Sequence, residues 1–552
     1  MPIIGYTAKE ATMYVPMIIG VTGHRNIRKE DHEILKERVT QQLFQLQNDC
    51  PDTPLIMLNS LAEGADQLCA EIALKLNIPL VVPLPFALEH YRKDFRDETL
   101  AKLNQQCSRA KEIFVVQPSE SPIETTNDFG YRQAGLYIVK HCHVLLALWD
   151  GKPGDLSGCG TATFVEMMLQ GSFIEHGHIA SVNDSTIIHI ITPRQNEPLP
   201  DNELTVQIIE PQKGELKELL DATNAFNIDS NNISAQSYPL TEMSLDGVSE
   251  RLHTAYQHSD QCSNTYQKRY LKAMRQLSWC GVFLVISFLL YDEAESNIFL
   301  IMYGFLILLS LSIYLKSKKD QVHMKYLEYR ALAETLRVQF YLSLFGIQEN
   351  ITDHFTWTQK KSNTWIRKAV TSLLIGEPPK RVLTAQELKS LWIDDQLSYH
   401  QKALIKNQHR ARLNQRMTKL LLFYSITIFI LVLIIEFFFP TIATIVIPID
   451  PLHQILLFHP EQDIIIRGIL KIILGTISAI TLFLSNYYGK LSLNRKISDH
   501  QKMIDQYQKI QPLFTDNQQG TESLFIALAK EGILENGSWL SYCKDNELTI
   551  NV

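Results

Sequence analysis

Between residues 15 and about 195, short apolar runs alternate with polar, helix-like segments: MIIGVTG, PLIMLNSLAEG, PLVVPLPF, EIFVVQ, HVLLALWDG and TIIHIITP. Apolar runs of about four to eight residues, bounded by turn residues and separated by helices, predict strands buried on both faces. The expected fold is therefore an α/β, doubly wound, Rossmann-like sheet over 15–195. Residues 196–249, from QNEPLPDNEL through NAFNIDSNNISAQS, are rich in Asn, Asp, Ser and Pro with little periodicity, and read as a linker or irregular connection.

From residue 250 the pattern becomes all-α and carries four apolar stretches: Leu277 to Tyr291, Ile298 to Leu315, Leu420 to Phe439 and Ile469 to Leu484. A bilayer core takes about 20 helical residues, so these predict four transmembrane helices in two hairpins, 250–320 and 417–490. Between them, 321–416 reads as a cytosolic amphipathic helical region, where Leu332, Leu336, Phe340 and Leu344 recur at i, i+4 as a core stripe. Residues 491–552 read as a cytosolic tail, helical to about 512, with a polar turn and a short helical end.

The flanking charges orient both hairpins. Lys268, Arg269, Lys272 and Arg275 precede the first stretch and Lys316, Lys318 and Lys319 follow the second, while DEAES between them is acidic. Arg410, Arg412, Arg416 and Lys419 precede the third, and Lys490, Arg495 and Lys496 follow the fourth. Both obey the positive-inside rule, which predicts a multi-pass inner-membrane protein with its soluble parts in the cytoplasm.

Composition narrows the class further. Among the 552 residues, 45% hydrophobic and 20% charged positions exclude disorder and a chain that is mostly membrane. The net charge of -7 removes the basic field of a nucleic-acid binder, so no nucleic acid is expected. The runs KRYLKAMR and KNQHRARLNQR instead suit anionic lipid heads or plain topology signalling. Eight cysteines without a CxxC pair point to a reducing compartment, and the first 16 residues do not read as a signal peptide.

Three strand exits carry glycine. Gly20-Val21-Thr22-Gly23-His24-Arg25 follows MII. A strand that ends in glycine and opens a helix lets backbone N–H groups approach an anion, although neither GxGxxG nor GxxxxGKS is present. Ser60-Leu61-Ala62-Glu63-Gly64-Ala65-Asp66 lies between LIML and DQLCAEIALKL. There Glu63 or Asp66 has the chemistry to accept from ribose hydroxyls, and Asp66 equally that of a helix cap. Asp150 opens a third exit, where Gly151, Gly154, Gly158 and Gly160 place four glycines in ten residues before a helix starting near Thr161. Three such exits on one sheet point to one pocket holding a nucleotide.

Other groups are less informative. His141-Cys142-His143 looks like a ligand set, but alternation on a buried strand would face the histidines away from the cysteine, so no metal is expected. Glu436 and Lys471 are ionisable groups at membrane depth, where a pore, a partner or snorkelling accounts for them.

The segments IGVTGHR, LAEGADQLCAE, VPLPFALEHYRKDF and LALWDGKPGDLSGCGTA together resemble the SLOG superfamily of Rossmann-like nucleotide-binding domains over about 15–195. EYRALAETLRVQF and LWIDDQLSYHQKALIKN resemble SLATT-type two-transmembrane modules. The resemblance implies a prokaryotic conflict-system protein in which a nucleotide or NAD-derived ligand gates a pore or membrane disruption in anti-phage defence. It would put Gly23, His24 and Arg25 on phosphate, Glu63, Gly64 and Asp66 on the second loop, and Gly160 with Thr161 on the Gly-rich loop. The enzymatic LOG branch carries PGGxGTxxE, whereas Phe164 stands at the glutamate position here and Glu166 is the nearest glutamate. Sensing without turnover is therefore expected; the alternative is a membrane-tethered LOG-like nucleotide or nucleoside-monophosphate hydrolase using Glu63 or Asp66.

The full expected ligand set is Gly20, Thr22, Gly23, His24, Arg25, Glu63, Gly64, Asp66, Asp150, Gly158, Gly160 and Thr161, with no catalytic residue, metal or cofactor. Four spans enclose little aqueous space, so a homo-oligomer in the lipid bilayer is expected. A messenger-producing enzyme is a further expected partner.

Overall fold

The computed structural model describes residues 14–116, 126–154, 158–170, 172–175, 178–181, 185–197, 200–233, 239–294, 296–356, 359, 363–377, 383–445, 460–490, 493–514 and 518–545. Two compact units emerge, and neither is one continuous piece of chain. The first combines Met1–Ser263, Glu328–Leu388 and Asp516–Tyr542; the second combines Asn264–Leu327, Lys389–Thr515 and Cys543–Val552.

The first unit is the α/β fold. Its strands are β1 (Met17–Gly23), β2 (Leu55–Leu58), β3 (Leu80–Leu84), β4 (Glu112–Val115), β5 (Val144–Trp149), β8 (Thr186–Ile191) and β9 (Val206–Ile209), in the order β4-β3-β2-β1-β5-β8-β9. A separate hairpin pairs β6 (Ser172–Glu175) with β7 (His178–Ser181). All pairings in the large sheet are parallel except β8 with β9. Every residue of β3, β5 and β8 is buried, as expected where helices cover both faces of a parallel sheet. Connecting helices are α1 (His32–Asp49), α2 (Ala65–Lys75), α3 (Leu88–Tyr91), α4 (Asp97–Arg109), α5 (Asn127–His141) and α6 (Thr161–Gln170). The chain builds outward from β1 to β4 and then returns with β5 on the other side of β1. The reversal opens a crevice at the carboxyl ends of β1 and β5.

The expected linker over 196–249 requires correction. It contains β9, which closes the sheet edge, and the 18-residue helix α7 (Glu215–Asn232). Its polar residues are structural donors and acceptors. Asn227 accepts from Val15 N at 2.9 Å and donates to Val15 O at 3.1 Å, fastening α7 to the chain entering β1. Composition alone reads such residues as loop formers because their partners lie more than two hundred positions away.

The helical segments also regroup. In α10 (Val322–Leu344) the stripe Leu332, Leu336, Phe340 and Leu344 is buried, as expected of a core face, but Glu328–Leu388 belongs to the α/β unit. Within that segment α11 (Thr364–Leu373) is buried from Trp365 to Leu373. The tail corrects a second expectation. After α14 (Leu493–Ile510) comes a 28-residue helix, α15 (Gln518–Asp545), in place of a short helical end. It packs Phe525 on Phe345 with ring centroids 4.9 Å apart, and Ile533 O accepts from Gln359 Nε2 at 3.2 Å.

The second unit is helical: α8 (Gly247–Ala294, from Asn264 onward), α9 (Asn297–Lys319), α12 (Asp395–Ile445), α13 (Pro460–Lys490) and α14. Among the described residues, four helices are long and apolar enough to cross a membrane, within Gly247–Ala294, Asn297–Leu344, Ala385–Ile434 and Gly468–Leu513. Helix α9 exposes Ile298 at 65%, Ile301 at 71% and Leu308 at 66%. Large aliphatic side chains turned outward over a whole helix match a lipid surround, not water. The side chain of Glu436 lies outside the described residues.

Candidate functional site

Glycine geometry shapes the carboxyl end of β1. A Cβ on Gly23 would lie 2.3 Å from Ala65 Cβ, so only glycine lets the strand exit meet the start of α2. Gly64 adopts φ 82°, and a Cβ there would lie 2.4 Å from Arg25 O. The two loops then lock together as Ala65 N donates to His24 O at 3.1 Å. Asp66 turns back on its own loop, accepting from Ala62 N at 3.3 Å, while Asn59 donates to Asp66 O at 2.8 Å.

These loops border a cavity of about 330 Å³ beside β1, α2, α5 and α6. Thr22, Gly23, Arg25, Asp66, Gly160 and Thr161 line it, so half of the expected set converges there. Gly160 and Thr161 open the ten-residue helix α6, whose N-terminal N–H groups and dipole favour an anion. The guanidinium of Arg25 lies 5.4 Å from the centre of the Tyr131 ring, a cation–π arrangement that holds the positive charge against the aromatic wall. Burial pushes the Asp66 carboxyl up to about 7, against the opposing pull of the Ala62 N–H and Arg25.

The other six expected residues do other work. Gly20 sits inside β1, where a Cβ would lie 2.8 Å from both Cys142 Cβ and Ile138 Cγ2, making it a packing glycine. His24 points away from the cavity into a buried network. Asp150 N donates to His24 Nε2 at 3.0 Å, Arg194 Nε lies 3.1 Å from His24 Nδ1, and the same Nε is 3.4 Å from Asp150 Oδ2. Burial first, and Arg194 second, hold the imidazole below its usual value, which keeps it a neutral acceptor. His24 and Asp150 thus knit together the ends of β1, β5 and β8. Glu63 accepts from Thr99 Oγ1 at 2.5 Å and braces α4, Gly64 serves backbone geometry, and Gly158 O accepts from Arg132 Nη1 at 2.7 Å.

Sequence reading missed the aromatic side of the cavity, formed by Tyr91, Tyr131 and Phe164. Tyr131 packs edge-on against Phe86 and donates to the Asp94 carboxylate. The available signal was α5 itself, a helix with two internal glycines. A Cβ on Gly130 would strike the Phe86 ring at 2.2 Å and one on Gly135 the Phe164 ring at 1.9 Å. The metal reading of 141–143 started from a strand, whereas His141 ends α5 and stacks on Tyr137, and His143 Nδ1 accepts from Ile18 N at 3.0 Å.

No family model matches the chain, and no curated protein matches it.

Proposed function

We propose that this chain is a multi-pass inner-membrane protein whose α/β unit binds a phosphorylated nucleotide or NAD-derived ligand. Ligand occupancy biases the membrane helices towards a permeable state. The observation that carries this reading is the convergence of Arg25, the start of α6 and the Tyr131 ring on one cavity at the reversal of strand order. A cation and helix N–H groups suit phosphate, an aromatic wall suits a base, and open α/β sheets take ligands at such crevices. The four apolar helices and their basic flanks support a membrane location with the soluble parts in the cytoplasm. The SLOG and SLATT resemblances support the same reading and add a role in anti-phage defence, a homo-oligomeric assembly and a separate messenger-producing enzyme.

Gating requires that the ligand bind one membrane arrangement more tightly than the other. The test is binding to the detergent-purified chain, screened over linear and cyclic nucleotides and NAD derivatives, with dye leakage from liposomes measured in parallel. Arg25→Gln is expected to weaken binding roughly ten- to a hundredfold, the worth of a charge-assisted hydrogen bond. Absence of binding by every phosphorylated compound sinks the reading.

Asp66 supports a second reading. A carboxyl held at about 7 inside the cavity is poised for proton transfer, as in a tethered nucleotide hydrolase. Product release on incubation with nucleotides, abolished by Asp66→Asn, selects the hydrolase; tight binding with unchanged ligand selects the sensor.

A further inference from the structure

The first and fourth membrane helices meet along a seam of the second unit. A Cβ on Gly468 would lie 2.6 Å from Glu293 Oε2, and one on Gly475 would lie 2.4 Å from Leu289 Cδ1. Farther along, the rings of Trp279 and Phe483 lie 5.3 Å apart. The contacts descend in α8 as they ascend in α13, so the two helices run antiparallel. Small residues at two positions of α13 let it approach its neighbour closely, the usual basis of helix association where lipid removes the hydrophobic drive.

One end of the seam carries charge. Lys471 Nζ lies 2.6 Å from Asp292 Oδ2 and 2.6 Å from Glu293 Oε1. The carboxylates follow the apolar stretch that ends at Tyr291, and Lys471 lies two residues inside the stretch that begins at Ile469. An ammonium or carboxylate at such a depth is costly alone, and removing one partner leaves the others uncompensated. Among the described residues, the pairing joins a cation of the second hairpin to two carboxylates of the first.

Resting on the membrane reading above, we propose that Lys471 is an ionic latch: bridging Asp292 and Glu293, it fastens the first hairpin to the second and sets the resting arrangement of the bundle. The two hairpins are then one interlocked assembly, and their parting requires that this bridge break.

The test is disulfide trapping in the full chain, reconstituted in phosphatidylethanolamine–phosphatidylglycerol vesicles. Leu289→Cys with Gly475→Cys should cross-link rapidly under mild oxidation, with each single variant as the control for native cysteines. Adding Lys471→Gln should slow trapping several-fold. Reversal of all three charges, Lys471→Glu with Asp292→Lys and Glu293→Lys, should restore it. If Lys471→Gln disturbs insertion, combining it with Asp292→Asn and Glu293→Gln removes the same bridge without stranding a charge and should slow trapping likewise. Unchanged trapping in these neutral variants, or no recovery on reversal, overturns the latch. Release of the parent chain by alkaline carbonate would instead mark failure of the membrane reading itself, and needs no cross-link to be seen.

Discussion

The ammonium of Lys368 donates to the carbonyl oxygen of Cys142 across 2.8 Å, so α11 is pinned to the amino end of β5 by a fully buried amine. Ser185 Oγ accepts from the same Nζ. Burial, reinforced by the neighbouring Arg367 charge, lowers the Lys368 amine to about 7.

That shift makes the α/β unit more stable in alkali. An unfolded lysine stays protonated to about 10.5, so between about 7 and 10.5 the unfolded chain binds more protons and stability rises with pH. Lys368→Met should remove this rise in melting temperature. At pH 9.5 it should also cost about 1–3 kcal/mol, because Cys142 O loses its donor, with a smaller effect at pH 7.

Asp66 titrates with the opposite consequence. Its folded carboxyl holds a proton up to about 7 against 3.8 for the ordinary group, so its contribution is present at low pH and is lost as pH rises through 7. Asp66→Asn keeps an acceptor for Ala62 N and should raise stability at pH 8 by roughly 1–3 kcal/mol. Melting curves between pH 5.5 and 8.5 should be flatter for the variant than for the parent.

Gly135 gives the cavity its Phe164 wall. A methyl there would lie 1.9 Å from the ring, so Gly135→Ala should cost about 1–3 kcal/mol by overpacking, even though alanine favours helix. Denaturant unfolding measures the loss, and displacement of Phe164 should weaken ligand binding in the same variant.

Phe525 tests whether the tail belongs to the α/β unit. It is fully buried against Phe345, and Phe525→Ala should cost about 3–5 kcal/mol in unfolding of the α/β unit. Were the tail an independent appendage, the melting of the sheet would not move.

The apolar runs made the parallel sheet legible, because strands buried on both faces cannot hide among polar residues. The i, i+4 stripe from Leu332 to Leu344 likewise announced a core helix. What stayed hidden depends on distant partners. His24 and Asp150 have the right chemistry for a ligand, and only the return of Arg194 beside β8 turns them inward. Tyr131 is one aromatic residue among many until α5 sets it over Arg25. Strand β9, four residues with two exposed in the middle, carries too weak an alternation to stand out from the Asn- and Pro-rich chain around it.

The three-part make-up of the α/β unit dictates an order of biosynthesis. Its last component, Asp516–Tyr542, is translated only after both apolar hairpins have left the ribosome. Until then the side of Phe345 that awaits Phe525 stands bare, and the newborn sheet remains unsealed while insertion into the bilayer proceeds. A premature stop between the fourth apolar helix and the final one therefore releases a chain that has entered the membrane but still exposes a greasy cleft to chaperones and proteases.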